Sequence, residues 1–145
     1  MKQSQAPLYM LDTNTVAYIM NGRSKAARRR LATVDGRVAI SAITEAEIRY
    51  GLCNKPEAIR WKQAVEEFLS AVEILPWDSN AAHVYGTMRS EMRATGKALS
   101  AMDLLIAAHA AATDATLVTS DKAFRFAPGL RECVNWASDI EGSKG

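Results

Sequence analysis

Asp12, Glu47, Asp103 and Asp121 are the residues whose types and spacing could do chemistry. Asp12 directly follows the apolar run Leu8-Tyr9-Met10-Leu11, and Asp121 comes two residues after Thr116-Leu117-Val118-Thr119. Glu47 lies one turn into the helix expected after Val38-Ala39-Ile40, and Asp103 opens the helix just before the Thr116 run. Open α/β sheets bind ligands beyond the carboxyl ends of their strands, so these four acids are expected to converge at one end of a sheet. Carboxylates within a few ångströms of each other cannot all stay ionised unpaired. A hard divalent cation resolves that conflict. Mg²⁺ and Mn²⁺ take oxygen ligands and keep several waters, which leaves room for a substrate phosphate. On a phosphodiester such an ion polarises the phosphoryl oxygen, acidifies a bound water and stabilises the leaving oxygen.

Simpler readings stand beside this one. Thr44-Glu45-Ala46-Glu47 fits a capping box, and Ser100-Ala101-Met102-Asp103 fits its looser form, so each acid can serve a helix start instead. Asp121 can belong to a turn. Asp12 has few structural duties at the end of a central strand, and burial would demand a partner for it.

The elements that must position these acids are short strands alternating with helices. Strands are expected at 8–11, 38–40, 72–75, 116–119 and 134–136. Helices are expected from Asp12-Thr13-Asn14 to about Met20, from Ser24 to Thr33, and from a Ser41–Thr44 turn to about Cys53. A fourth opens at Pro56 and carries Trp61, Val65, Phe68, Leu69 and Val72 on one face. A long helix capped by Asp78 and Ser79 runs to Thr95-Gly96, and another spans Met102 to Ala112. Residues 120–129 are expected as loop with one helical turn. The pattern predicts an α/β domain, a central mostly parallel sheet of four to five short strands with helices on both faces. A single domain is expected over 1–145, its core at about 8–137 and 138–145 a polar tail, frayed from Glu141.

The 145 residues are 48% hydrophobic and 23% charged, ordinary for a globular chain able to bury a core without staples. The net charge of +2 is too small to establish a polyanionic partner. Cys53 and Cys133 form no CxxC pair, which excludes a thiolate zinc site or disulfide framework and fits reduced thiols in the cytoplasm. Neither a secretory leader nor a membrane span is visible.

Met10-Leu11-Asp12-Thr13-Asn14 resembles the opening of the PIN-domain ribonucleases, specifically the VapC toxins of toxin–antitoxin pairs. Ile40–Thr44 running into Ala46–Gly51, Ala101–Ala110, and Leu117–Asp121 followed by Phe124 and Gly129-Leu130 resemble the family's later blocks. Trp136 also fits. The blocks keep order and spacing from about Leu8 to Trp136. The resemblance implies a PIN-like fold and a metal-dependent endoribonuclease, Mg²⁺ with Mn²⁺ as substitute, cutting structured RNA such as tRNA to leave a 3′-hydroxyl and a 5′-phosphate. It implies Asp12 and Asp103 as the residues most firmly tied to metal, with Glu47 and Asp121 completing the cluster or holding waters. Relatives often carry asparagines in the fourth block, where Ser120 and Asp121 stand here. Asn14, Thr119 and Ser120 match supporting polar positions. A cognate antitoxin laid across the acidic groove, and a homodimer, are implied as partners.

Arg23, Lys25, Arg28, Arg29 and Arg30 crowd one early segment, suited to RNA phosphates or to a solvated helix face. His83 and His109 lack ligand spacing and are read as packing or surface residues. Val84, Tyr85, Met88 and Met92 read as core, a share of them available to a dimer face. Two other functions stay open. A haloacid-dehalogenase-type phosphatase also places Asp after its first strand, but its second acid is Asn14 here. A non-catalytic RNA-binding domain of the same fold is the other.

Overall fold

The computed structural model describes residues 6–140. Its strands are β1 (Leu8–Leu11), β2 (Arg37–Ser41), β3 (Glu73–Leu75), β4 (Thr116–Val118) and β5 (Glu132–Val134). Its helices are α1 (Thr13–Asn21), α2 (Lys25–Thr33), α3 (Ala42–Asn54), α4 (Ile59–Ala71), α5 (Ser79–Ala94) and α6 (Ala101–Ala112). A 3-10 helix covers Lys122–Phe126.

The strands form one sheet in the order β3-β2-β1-β4-β5, every adjacent pair parallel. Parallel neighbours need crossovers, and the helices supply them. Along β1, successive residues point to opposite faces. Leu11 packs with Val16, Ile19, Ile48, Phe68 and Trp136 on one side, and Met10 packs with Met88, Met92, Ile106 and Phe124 on the other. β4 repeats this with Val118 and Leu117. Both faces are therefore covered, which is why these strands read as unbroken apolar runs.

The chain moves outward from β1 through β2 to β3, then returns to β4 on the other flank of β1. The strand order thus reverses between β1 and β4, the place where such sheets open a crevice at their carboxyl ends. Asp12 follows β1 and Asp121 follows β4, so both stand at that reversal.

Some expected boundaries shift. No turn separates β2 from α3: Ser41 ends the strand and caps the helix, its hydroxyl accepting from the Ile43 N–H at 3.1 Å. Pro56 does not open α4. A turn closed by Ala58 N–H to the Lys55 carbonyl intervenes, and the helix begins at Ile59. β5 lies two residues earlier than expected, because the Asn135 side chain accepts from the Ala137 N–H and turns the chain there. Trp136 is instead packed against the Tyr9 ring, centroids 5.5 Å apart. The packed part also runs past 137: Ile140 is buried, and Asp139 accepts from the Ser24 hydroxyl at 2.6 Å. The expected fraying from Glu141 lies outside the described residues. No described helix is long and apolar enough to cross a membrane.

Candidate active site

Asp12 is 3% exposed and caps α1, its Oδ1 accepting from the Thr15 N–H at 2.9 Å. It therefore has a structural duty that its position alone did not suggest, of the kind that stabilises a helix start by about 1 kcal/mol. Its Oδ2 accepts from the Thr119 hydroxyl at 2.6 Å. Thr119 in turn accepts from the Asp121 N–H at 3.0 Å, so one buried hydroxyl ties the end of β1 to the loop after β4. Asn14, by contrast, makes no such contact: it is exposed on α1 with no side-chain hydrogen bond among the described residues. Its neighbours do that work. Thr15 is fully buried, and its hydroxyl donates to the Val118 carbonyl at 3.3 Å.

Glu47 is not a helix cap. The cap of α3 is Ser41, and the acid of its first turn is Glu45, which pairs with Arg49 at 2.9 Å. Thr44 and Glu47 are three apart and share a helix face. Thr13 Oγ1 donates to Glu47 Oε1 at 2.6 Å and lies 3.3 Å from Thr44 Oγ1. This contact joins α3 to the first turn of α1, beside Asp12. At Asp103, capping and site placement hold together. Ser100 Oγ accepts from the Asp103 N–H at 3.2 Å, which leaves the carboxylate half-buried on the first turn of α6.

Electrostatics link three of the acids. Burial pushes the Asp12 carboxyl above its ordinary range, the Thr119 and Thr15 hydrogen bonds oppose it, and the Asp103 charge adds to the rise. Burial also raises Asp103, against the Ser100 hydroxyl, and here the Asp121 charge adds. Asp12, Asp103 and Asp121 thus repel in series across the crevice. Among the described residues no cation pairs with any of them. Nor do three His, Cys, Asp or Glu side chains there gather tightly enough to enclose an ion unaided. That donor set suits Mg²⁺ or Mn²⁺, which is held through one or two carboxylates plus waters and substrate phosphates rather than an all-protein cage. Asp12 and Asp103 are the pair that would hold it.

His109 is one of the packing residues, and Lys122 and Arg125 are residues the sequence did not single out. His109 is 1% exposed, and its Nδ1 lies 2.7 Å from Ser41 Oγ. Burial lowers its pKa, opposed by Asp78 and a hydrogen bond with the Pro76 backbone. The imidazole therefore ties α6 to the start of α3 and to the segment before α5. A cavity of about 130 Å³ opens next to Asp121, with Ser120, Lys122, Arg125 and Asn135 in its wall. Lys122 and Arg125 followed a plausible catalytic acid, the one signal that could have singled them out.

The arginine-rich segment is α2 with the turn before it. α1 leaves Asp12 and runs nine residues, about 13 Å, before Gly22 turns the chain into α2. Arg28 donates to the Ile19 and Met20 carbonyls at 2.7 and 3.3 Å, which satisfies the exposed end of α1. Arg30 lies over the Trp136 ring and Arg23 over the Tyr18 ring. Met88 and Met92 are core residues against α6, as expected, and so do not offer a dimer face. Among the described residues the exposed large apolar side chains are Tyr50, Ile59, Ile74, Met102 and Phe126.

The PIN domain family matches residues 9–130. Ribonuclease VapC2 of Rickettsia felis is 35% identical over 126 residues, 85% of this chain and 94% of the relative. The tRNA(fMet)-specific endonuclease VapC of Salmonella typhimurium is 33% identical over 124 residues, again 85% and 94% of the two chains. The crystal structure of VapBC2 from Rickettsia felis, bound to a DNA fragment of its promoter, superposes with a TM-score of 0.83 at 34% identity. That match covers 89% of this chain and 98% of the other. DNA-bound VapBC from Salmonella typhimurium gives 0.83 at 31%, covering 90% and 98%.

Proposed function

The chain belongs to the PIN-domain family and, within it, to the VapC toxin nucleases of toxin–antitoxin pairs, and from that premise we propose how its crevice cuts RNA. The reaction is hydrolysis: a water oxygen attacks phosphorus in line, the P–O3′ bond breaks, and a proton ends on the leaving 3′ oxygen. Asp12 and Asp103 would hold a divalent cation, Mg²⁺ or Mn²⁺. When bound, that ion supplies charge neutralisation at the phosphate and acidifies the attacking water.

The chain's own residues do the rest. Thr119 and the Thr15 N–H fix the Asp12 carboxylate in one orientation, as groups behind a metal ligand commonly do. Thr13 fixes Glu47 through Oε1, and Oε2 has no hydrogen-bond partner among the described residues, so it is available to order a water or take its proton. Asp121, whose charge acts on Asp103, completes the acidic set. The observation that carries this reading is the unpaired series Asp12–Asp103–Asp121 at the strand-order reversal.

The substrate class is structured RNA such as tRNA, which the name of the Salmonella relative supports. The partner is a cognate antitoxin that lays a segment with a basic residue or a helix over the acidic crevice, supported by the VapBC complexes among the structural neighbours. Two copies of the chain pair in solution, which light scattering would read directly. The functional test incubates the protein with total bacterial RNA in Mg²⁺, in Mn²⁺ and in EDTA, beside Asp12→Asn. Discrete fragments that require both the metal and Asp12 are expected. Cleavage that persists in EDTA or in the variant would overturn the assignment.

A further inference from the structure

The cavity beside Asp121 lies between the 3-10 helix and the end of β5. A 3-10 helix has three residues per turn, so Lys122 and Arg125 share one face of it. Both are exposed, both line the cavity, and neither forms an ion pair among the described residues. Arg125 and Cys133 both line the cavity, and the Arg125 charge acts on the Cys133 thiol. Burial holds that thiol neutral. Asp121 is the one acid in the wall, and its Oδ1 already accepts from the Ala123 N–H at 2.9 Å.

Among the described residues no aromatic side chain lines this cavity: Phe124 is fully buried, and Phe126, although exposed and with the Lys97 Nζ 4.4 Å from its ring centroid, lies outside the cavity wall. Two unpaired cations around a small polar recess suit a phosphodiester rather than a base. Thr119 is shared between this recess and Asp12, so the recess adjoins the acidic crevice without coinciding with it.

We propose that this cavity seats a phosphodiester of the bound RNA strand next to the one being cut, held by Lys122 and Arg125. The inference rests on the ribonuclease reading above and adds a binding subsite to it. It also explains how an acidic crevice keeps a polyanion: the chain supplies cations one step along the strand.

The test is equilibrium binding of end-labelled total tRNA in EDTA, where no cleavage occurs, across a salt series. The proteins compared are wild type, Lys122→Gln/Arg125→Gln and Arg23→Gln/Lys25→Gln/Arg29→Gln. The first variant is expected to bind roughly tenfold more weakly and to lower the slope of log K against log salt by about 1 per lost contact. In Mg²⁺ its KM rises while kcat stays within about twofold, and Arg125→Lys recovers part of the salt slope. Wild-type affinity and slope in the Lys122→Gln/Arg125→Gln protein would overturn the subsite. If wild type still cuts with metal and Asp12, only the subsite falls. If wild type neither binds nor cuts, the ribonuclease reading falls with it.

Discussion

At the amino-terminal edge of the sheet, each acid in an ion pair meets a guanidinium. Arg37 at the start of β2 pairs with Glu73 at the start of β3 at 2.6 Å, and Arg131 before β5 pairs with Asp114 before β4 at 3.0 Å. At the carboxyl edge, Asp12, Asp103 and Asp121 accept hydrogen bonds but form no ion pair among the described residues, and the charges of Asp103 and Asp121 act on their neighbours. The same parallel strands carry both edges. Exposed pairs like the first contribute about 0–1 kcal/mol each, and clustered half-buried acids cost stability. The proposed cation site rests on this contrast: one edge carries its neutralising guanidinium groups, and the other carries acids without ion pairs among the described residues. The same contrast sorts the basic residues. Arg28 and Arg30 of α2 are engaged inside the chain, whereas Lys122 and Arg125 at the carboxyl edge stand without ion pairs among the described residues.

The largest expected effect comes from removing charge at the carboxyl edge. Asp12→Asn or Asp103→Asn should cut RNA cleavage by about a hundredfold or more, the scale of losing several kcal/mol of charge stabilisation. Asn at position 12 still caps α1, so metal-free stability should hold or rise, which thermal melting in EDTA would read. Thr119→Val should lower activity by roughly 10–100-fold through Asp12 orientation, read in the same cleavage assay.

Metal removal sharpens the contrast further. A divalent ion at 100 times its dissociation constant should stabilise wild type by about 2.7 kcal/mol over the EDTA form, seen as a raised melting temperature. Asp12→Asn should show far less of that rise. An equal rise in both proteins would locate the cation elsewhere.

His109 gives the pH arm. Its folded pKa lies below the ordinary 6.5, so the unfolded chain binds the proton more tightly. Stability should therefore be intact above about pH 6.5 and decline as pH falls through and below that value. His109→Asn should flatten that decline in melting curves between about pH 7 and 5. An unchanged slope would mean the imidazole does not report on this contact. The smallest effect belongs to the neutralised edge. Arg37→Gln should cost at most about 1 kcal/mol, shrink with added salt, and leave cleavage as it was.

The strand ends were legible because apolar runs bounded by Asp12 and by Ser120-Asp121 announce buried parallel strands. The placement of Asp12 and Asp121 followed from that alone. Glu47 shows where local pattern misleads: Thr44-x-x-Glu47 spells a cap, yet the helix had already begun at Ala42 under Ser41. What binds Glu47 is Thr13, 34 residues away. The His109–Ser41 contact spans 68 residues and the Thr119–Asp12 bond spans 107. Such pairs depend on how helices dock on the sheet, which no window of sequence contains. In the arginine run, Arg28 and Arg30 found carbonyls and a ring that only the folded chain brings near, whereas Lys25 and Arg29 are exposed.

The most direct test of the proposed cation site is a titration of Mn²⁺ into the RNA-free protein, followed by calorimetry or by the loss of free-ion paramagnetic signal. The account predicts saturable binding in wild type, its loss in Asp12→Asn and in Asp103→Asn, and its retention in Arg37→Gln. Equal binding in all four proteins, or none in wild type, would contradict it.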